Sequence, residues 1–521
     1  MFVKVSSGAV MGVDGYIVDV EVDVASGLPG FDVVGLPDSA VKESRERVRA
    51  AIRNAGFAFP IKRITVNLAP ADTRKSGPAF DLPIAVGLLI CSGVLKEDIA
   101  ENAFFAGELS LDGAVRPVSG ILPMLLAARG AGAMKCFVPS ENAREASLVT
   151  GMAVYPITHL KELVPDSGTS SITPFINEAQ TPAPSARDGN PYDVDFADVA
   201  GQNHVKRALE IAAAGGHNLV MIGPPGAGKT MLARRMPTIL PDLSFDESIE
   251  ITKIYSIAGL LGERHLITER PFRTPHHTAS YISLTGGGRV PAPGEISLAH
   301  NGVLFLDELP EFQKKALETL RQPMEDGQIT IARAGGVCTY PSVFLLLAAM
   351  NPCPCGYQGT ERCKCTDAEI ARYLDKISGP LLDRIDIMVE AVPVSYGELA
   401  GNENAGGKYP PSAPPPSAET SAEIKARVEQ ARERQSHRFA SAPVRFNAKM
   451  SAAMVKKHCK LNRESGDLLK QVFESMNMSA RAYHKILKIA RTIADLAGAP
   501  DIDAAHIAEA VSYRGLDRKY W

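Results

Sequence analysis

LVMIGPPGAGKT, residues 219–230, is the stretch that decides the fold of this chain. Four apolar residues are followed at once by a glycine-rich turn, and a helical pattern begins at Met231. In this strand–loop–helix context, G-x-x-x-x-G-K-T binds phosphates, because glycines let backbone N–H groups turn inward while Lys229 supplies a cation. The Thr230 hydroxyl is a ligand for Mg²⁺. The sequence therefore predicts a nucleotide site made of Gly223, Pro224, Pro225, Gly226, Ala227, Gly228, Lys229, Thr230 and Met231.

A second apolar run, Val303–Leu306, ends in the acidic pair Asp307 and Glu308. Continuous apolar runs are typical of central strands in a parallel sheet. Asp307 is predicted to hold Mg²⁺ together with the threonine of the phosphate loop, and Glu308 to polarise the attacking water. A third run, 343–349, leads to Asn351, which we expect to position that water or to contact the terminal phosphate.

A candidate catalytic arginine follows in LLDRIDI, residues 381–387. A predicted helix end meets a β-like run here, so Arg384 lies where an arginine would project into the site of a neighbouring subunit. There it would neutralise charge that develops in the transition state. A surface salt bridge from Arg384 to Asp383 or Asp386 is the alternative, since such pairs are common.

The composition is that of an ordinary soluble protein. The 521 residues include 56 basic and 59 acidic side chains, so the formal net charge of −3 carries no global signature of a nucleic-acid binder. A basic stripe can still lie inside a neutral protein. The N-terminus lacks the pattern of a secretory signal, and the longest apolar run, 82–95, is shorter than the about 20 residues of a membrane span. We therefore expect a cytoplasmic protein with no membrane partner.

The order of segments predicts an α/β protein of three units. Residues 1–163 mix strand-like and helical patterns, and 164–194 have the Pro, Ser, Thr and Gly content of a linker. Residues 195–395 alternate apolar strands with helices, which favours a parallel sheet covered by helices in a three-layer core. Residues 396–421 are predicted to be a disordered Pro-rich loop, and 422–521 a helical domain.

Three arginines in exposed-looking segments are candidate DNA contacts. Arg273 and Arg289 lie in an insertion between the phosphate loop and the acidic strand. Alternation over 328–341 around two glycines predicts a β-hairpin, with Arg333 near its tip. Structural packing, or a side chain that is merely solvated, is the alternative for each of the three.

Two groups of residues have metal-ligand chemistry. His276 and His277 are adjacent, but neighbours on one strand point to opposite faces, so we expect no shared ion. Two C-x-C pairs with seven residues between them suit a small tetrahedral zinc site, with four free thiols as the equal alternative. These candidate zinc ligands are Cys353, Cys355, Cys363 and Cys365.

Taken together, the motifs resemble those of the magnesium-chelatase-like AAA+ ATPases, and more narrowly of the ComM/YifB family. The resemblance covers nearly the whole chain. It rests on GPPGAGKT (223–230), VLFLDEL (303–309), Asn351, GPLLDRIDI (379–387), SARAY (479–483), GLPGFDVVGLPDSAVKESRERVRAAI (27–52) and RITVNLAPADTRKSGPAFDLPIA (63–85).

The resemblance implies a P-loop AAA+ core with a C-terminal helical lid, ATP and Mg²⁺ as cofactors, and a hexameric ring of identical chains. Arg384 would be the finger that acts in the neighbouring subunit, and Arg481 a sensor arginine from the lid. It also implies action on single-stranded or branched DNA, as a branch-migration or helicase activity in recombination or natural transformation. A chelatase-type or regulatory ATPase that remodels a protein partner is the alternative.

The N-terminal unit resembles the Lon-protease domain, whose chemistry needs a serine activated by a lysine. Where that pattern has the serine, this chain has Ala79 within Gly-Pro-Ala-Phe-Asp. Where it has the lysine, the chain has Leu122. Neither side chain can perform the reaction, so we predict a Lon-protease-like domain without proteolytic activity.

Overall fold

The predicted linker and the predicted disordered loop lie mostly outside the described part of the chain. At the end of that loop the chain is already helical, because Thr420 caps a helix that begins at Ser421 and accepts a hydrogen bond from the backbone N–H of Glu423. The computed structural model describes residues 1–164, 173–175, 192–262, 264–288, 291–333, 336–394, 419–442, 444–476, 478–516 and 520.

The N-terminal unit is built on a seven-stranded mixed sheet, with a separate two-stranded ribbon beside it. Its strands are β1 (Phe2–Met11), β2 (Asp14–Ala25), β3 (Gly30–Val34), β4 (Arg63–Ala69), β5 (Ala103–Phe105), β6 (Glu108–Leu109), β7 (Val115–Arg116), β8 (Lys135–Pro139) and β9 (Ala153–Ile157). The sheet order is β3-β4-β2-β1-β5-β8-β9, and β6 pairs with β7. Strand β2 is antiparallel to both β1 and β4, and the other neighbours in the sheet are parallel.

Helices cover this sheet, and its strands are rich in apolar residues because these helices bury them. They are α1 (Ser39–Asn54), α2 (Asp81–Cys91), α3 (Ile121–Gly130) and α4 (Ala143–Ala146). Helix α1 is amphipathic and buries Val41, Val48, Ala51 and Ile52. The long apolar run forms α2, in which ten of eleven residues are buried. Within the described residues, no helix combines the length and the apolar character that crossing a bilayer requires.

The central unit contains a five-stranded parallel sheet. Its strands are β10 (Leu219–Ile222), β11 (Phe272–Arg273), β14 (Val303–Leu306), β17 (Leu345–Met350) and β18 (Ile387–Glu390), in the order β11-β14-β17-β10-β18. Every residue of β10, β14 and β17 is buried, as continuous apolar runs predict. The registers align the carboxyl ends of these three strands. Polar residues that follow each strand therefore meet at one edge of the sheet.

Helices and two small ribbons complete the central unit. The helices are α5 (Asn203–Gly215), α6 (Lys229–Arg234), α7 (Phe245–Ile257), α8 (Tyr281–Thr285), α9 (Glu295–Leu298), α10 (Lys314–Glu318), α11 (Arg321–Asp326), α12 (Asp367–Leu374) and α13 (Gly379–Leu382). The predicted hairpin is present as antiparallel β15 (Gln328–Arg333) and β16 (Gly336–Pro341). A second ribbon, β12 (Gly286–Gly287) with β13 (Ala292–Pro293), lies in the insertion before β14.

The C-terminal unit is helical, as predicted, and shares one apolar core with the central unit. Its helices are α14 (Ser421–Arg438), α15 (Ala452–His458), α16 (Arg463–Ser475), α17 (Ala480–Leu496) and α18 (Ala504–Ser512). Buried residues of α5, α14 and α17 belong to this common core. Helices α14 and α17 therefore pack on α5, which in turn covers strands β10 and β18 of the sheet that carries the phosphate loop.

Candidate nucleotide site

The loop between β10 and α6 has the backbone that a phosphate cradle requires. Gly226 and Gly228 have φ of +79° and +80°, where residues with side chains are strained. At Gly223, an added Cβ would lie 2.2 Å from the carbonyl oxygen of Ala391, so glycine is needed there for close approach. Glycine turns of this kind at the start of a helix present backbone N–H groups to phosphate, and the partial positive charge of the helix end also attracts anions.

Lys229 opens α6 and folds back over the loop. Its Nζ donates to the carbonyl oxygens of Gly223 at 2.6 Å and Pro224 at 2.9 Å, and to Oδ1 of Asn351 at 3.1 Å. Burial lowers the pKa of Lys229 below its ordinary value, whereas the nearby carboxylates raise it. Because Asn351 follows β17, the ammonium group already joins two of the three predicted strand ends.

The third strand end brings Asp307 to the same place. Thr230 Oγ1 donates to Asp307 Oδ2 at 2.6 Å, and the backbone N–H of Glu308 donates to Asp307 Oδ1 at 2.9 Å. A hydroxyl and a carboxylate side by side are hard oxygen donors, which fits Mg²⁺ shared with substrate phosphates. Glu308 has φ of +52° and a side chain that is 53% exposed, so its carboxylate faces the open side of the site.

Sequence reasoning did not place His277 in this site. Its Nδ1 lies 3.2 Å from Oε2 of Glu308, because β11 pairs with β14 and the segment after β11 ends beside the acidic pair. The expectation that the two histidines point to opposite faces was wrong. The segment after β11 is not a strand, and the rings of His276 and His277 lie 4.1 Å apart. His277 follows β11, the strand that pairs with β14. That position could have located His277 only if the order of the strands in the sheet had been known.

Arg384 lies at the opposite edge of the sheet from the phosphate loop. Its carbonyl oxygen accepts from Nδ2 of Asn218 at 3.0 Å, immediately before β10, whereas the phosphate loop follows β10. Four strand residues span about 13 Å. The Arg384 side chain is 15% exposed and pairs with Glu325, so neither Asp383 nor Asp386 is the partner that the sequence suggested.

Arg481 lies at that same opposite edge. Its Nη1 donates to Oδ2 of Asp383 at 2.9 Å, and its side chain is 72% exposed. Arg384 and Arg481 line one cavity of about 270 Å³. Three further basic side chains that line it are His484, Lys485 and Lys488. The structure thus groups the two predicted catalytic arginines with each other and separates both from Lys229 of the same chain.

The four clustered cysteines also converge. Their sulfur atoms all lie within 4.8 Å of one another, and Cys353 is fully buried. None of the four forms a disulfide bond. The geometry suits a single tetrahedral metal ion.

The structure describes the three candidate DNA-binding arginines to different extents. Arg273 donates to both carboxylate oxygens of Glu295, at 2.7 and 2.8 Å, so an internal partner already balances its charge. Arg289 lies outside the described residues, and so does the side chain of Arg333, whose backbone ends β15. The DNA contacts therefore stay predictions.

Comparison with known proteins gives matches along the whole chain. Family models described as "Magnesium chelatase, subunit ChlI", "Subunit ChlI of Mg-chelatase" and "Magnesium chelatase, subunit ChlI C-terminal" match residues 195–399, 20–142 and 418–514. Competence protein ComM of Haemophilus influenzae is 44% identical over 99% of this chain and 97% of its own length. The chain belongs to the magnesium-chelatase-like AAA+ ATPases, in the ComM/YifB family.

A second full-length relative agrees with this placement in the ComM/YifB family, and part of the chain is similar to a Lon protease. The YifB protein of Escherichia coli is 42% identical over 99% of this chain and 97% of its own length. The Lon protease of Buchnera aphidicola is 26% identical over 29% of this chain and 21% of its own length. The predicted family and the predicted α/β fold with an AAA+ core and helical C-terminal unit are confirmed.

In this ComM/YifB chain the positions of a Lon-type dyad are filled by apolar packing. Ala79 and Leu122 belong to the same buried cluster. Ala79 is 7% exposed and Leu122 is fully buried. Neither side chain carries a nucleophile or a base, so these two positions cannot form the serine–lysine pair of that chemistry.

Proposed function

We propose that this ComM-like AAA+ ATPase is an ATP-driven ring motor acting on DNA, with branch-migration or helicase activity in recombination or natural transformation. The proposal of a ring rests on the positions of Arg384 and Arg481, which lie across the sheet from the phosphate loop of their own chain. DNA as the substrate rests on the full-length likeness to a protein named for competence.

Each residue of the nucleotide site has a role in phosphoryl transfer to water. The loop amides and Lys229 bind the β- and γ-phosphates of ATP. Thr230 and Asp307 would hold Mg²⁺, which neutralises phosphate charge when it is bound. Glu308 takes the proton of the attacking water as a general base, and Asn351 orients that water or the terminal phosphate.

The two arginines complete the site in the neighbouring copy. In a head-to-tail ring, the edge of one subunit that carries Arg384 and Arg481 faces the phosphate loop of the next. Arg384 then stabilises the charge of the transition state, and Arg481 senses the terminal phosphate. A hexamer is the ring size that the family resemblance implies.

DNA would pass along the basic insertions of the central unit. Hairpin β15–β16 and the insertion that contains β12 and β13 are the segments we assign to the pore. Arg289 and Arg333 are the proposed phosphate contacts, and Arg273 would have to exchange its pairing with Glu295 to join them. The proposal also includes one Zn²⁺ ion on the cysteine cluster, a cytoplasmic location and an N-terminal domain without proteolytic activity.

The test is migration of a labelled four-way DNA junction by the wild type and by Lys229→Ala and Glu308→Gln. We expect ATP-dependent conversion to duplex products only with the wild type. Fluorescence anisotropy with single-stranded DNA at two salt concentrations should show affinity that falls steeply with salt, as phosphate contacts require. Equal rates of junction migration by all three proteins would contradict the proposal of an ATP-driven motor.

A chelatase-type ATPase that remodels a protein partner is the second candidate. The match of all three magnesium-chelatase models favours it. It shares every nucleotide residue with the first candidate but needs no nucleic acid. An ATPase rate that DNA does not change, together with no salt-sensitive DNA binding, would select this second function.

A further inference from the structure

The four cysteines lie in the loop that joins Asn351 to α12, and their sulfur atoms lie within 4.8 Å of one another. This loop has no strand and no long helix between 351 and 366, and its turns rest on Gly356 and Gly359, with φ of +84° and +82°. Backbone hydrogen bonds between nearby residues stabilise these turns. For example, the N–H of Gly356 donates to the carbonyl oxygen of Cys353 at 3.0 Å. Such a loop has little apolar core of its own, so a cross-link would decide its shape.

The sulfur positions are those of a tetrathiolate metal site. Cys353 Sγ lies 3.3 Å from Cys355 Sγ and 3.9 Å from Cys363 Sγ, and the latter two are 3.7 Å apart. Four sulfurs at about 2.3 Å from one Zn²⁺ ion would be separated by about 3.8 Å. The backbone N–H groups of Tyr357 and Lys364 also hydrogen-bond to Cys355, which fixes the position of its sulfur atom.

The same loop touches the nucleotide site at two points. Gly356 packs so closely on the phosphate loop that an added Cβ would lie 2.5 Å from Cδ of Pro225. That Cβ would also lie 3.7 Å from Cγ of Asn351, whose Oδ1 accepts from Lys229. Cys353, a metal ligand in this arrangement, is only two residues from Asn351 in the chain.

Beyond the loop, α12 fixes Asn351 from its other side. Tyr373, which is 5% exposed, hydrogen-bonds to the backbone of Asn351. Helix α12 starts directly after the last cysteine, with Thr366 as its cap. The cysteine loop is therefore the connection that sets how α12, Asn351 and Pro225 lie relative to one another.

We propose that Cys353, Cys355, Cys363 and Cys365 bind one Zn²⁺ ion, and that this metal closes the loop into a brace that positions Asn351 and Pro225 for nucleotide binding. The metal has no part in the chemistry of ATP. Loss of zinc releases the loop, so Asn351 and the phosphate loop are no longer preorganised and nucleotide affinity falls. This inference rests on the proposed ATP site, but it does not depend on DNA as the substrate.

The experiment measures zinc content and nucleotide affinity of the full chain separately. Elemental analysis and chelator release after thiol modification should give one zinc per wild-type chain, and Cys363→Ser/Cys365→Ser should contain none. We expect that double variant to bind a fluorescent ADP analogue roughly tenfold more weakly or worse, since small misplacement of positioning groups is costly. Cys91→Ser, at a lone cysteine of the N-terminal unit, is the matched control and should keep both zinc and affinity.

Gly356→Ala tests the positioning of Pro225 without removing any of the four metal ligands. It leaves all four cysteines in place and pushes on Pro225. The strain of an alanine at a φ of +84° is small beside the binding of zinc by four thiolates, so zinc should stay bound while nucleotide affinity falls. Circular dichroism melts verify that each variant is folded. A wild type without zinc after growth in zinc-supplemented medium would overturn the site, and a zinc-free variant with normal affinity would overturn the brace. A chain that binds zinc but no nucleotide would overturn the brace and the proposed function together.

Discussion

Glu308 is the residue whose substitution should separate nucleotide binding from hydrolysis. Its carboxylate is half exposed at the mouth of the site, and no hydrogen bond joins it to the phosphate loop within the described residues. Glu308→Gln should therefore bind ATP with near wild-type affinity. Its kcat should fall by about 10²–10⁴-fold, the usual contribution of a general base. Phosphate release and titration with a fluorescent nucleotide measure the two effects on the same preparation.

A nearby carboxylate provides the control for that substitution. Glu311 is three residues away and pairs with Lys376 at 3.3 Å, with both side chains 44% exposed. Exposed pairs of this kind contribute little to stability. Glu311→Gln should therefore leave both kcat and affinity unchanged. A kcat for Glu308→Gln that equals the kcat of Glu311→Gln would remove Glu308 from the mechanism.

At the scale of elements, one polar network joins the sheet of the central unit to α17 of the lid. His217 Nδ1 lies 3.2 Å from Asp386 Oδ2, and its Nε2 lies 2.9 Å from Oγ1 of Thr492. Lys485, also on α17, lies 3.8 Å from Asp386. Burial alone would raise the pKa of Asp386, but His217, Lys485 and Lys488 outweigh it and lower the pKa to about 2.

This lowered pKa predicts acid lability of the joint between core and lid. The folded-state pKa lies below the unfolded value of about 3.9, so the stabilisation is present above about pH 4 and is lost as the pH falls toward 2. Asp386→Asn should lower the free energy of unfolding at pH 7 by roughly 2 kcal/mol. The difference between wild type and variant should shrink between pH 4 and pH 2.

Urea unfolding followed by circular dichroism at several pH values measures this difference. Asp383→Asn is the matched control, because Asp383 is 42% exposed and its pair with Arg481 is at the surface. It should change stability little at any pH. A difference for Asp386→Asn that stays constant down to pH 2 would contradict the role assigned to that carboxylate.

Elements that depend on local sequence were predictable. The strand, glycine turn and helix around Lys229 follow from a four-residue apolar run and from backbone angles that glycine allows. Helix α6 begins at Lys229, two residues before the predicted start, and β17 begins at Leu345 rather than at 343. End positions shift in this way because capping and tertiary contacts decide them.

Contacts that depend on strand order were not predictable from the sequence. His277 reaches Glu308 only because β11 lies beside β14, and nothing local to either residue indicates that pairing. The partner of Arg384 is Glu325, 59 residues away in the chain, whereas the local motif suggested only its neighbours Asp383 and Asp386. The meeting of Gly356 with Pro225 is another contact between distant segments.

For the whole molecule, the proposed ring predicts subunit complementation. Lys229 follows β10 and Arg384 lies beside the start of β10, so the arginine of one chain lies away from the phosphate loop of that same chain. Lys229→Ala and Arg384→Ala should each abolish ATP hydrolysis in pure form. In mixed rings, the intact loop of Arg384→Ala subunits can face the intact arginine of Lys229→Ala subunits.

Mixing the two inactive proteins should therefore restore hydrolysis. In an equal mixture with random order, about a quarter of the interfaces are complete, so about a quarter of the wild-type rate is expected if interfaces act independently. The control replaces the Lys229→Ala partner by the double variant Lys229→Ala/Arg384→Ala, which offers no arginine and should give no recovery. Phosphate release after subunit exchange measures the rate. An inactive mixture of well-assembled rings, or an active Arg384→Ala protein by itself, would show that Arg384 does not act across the interface.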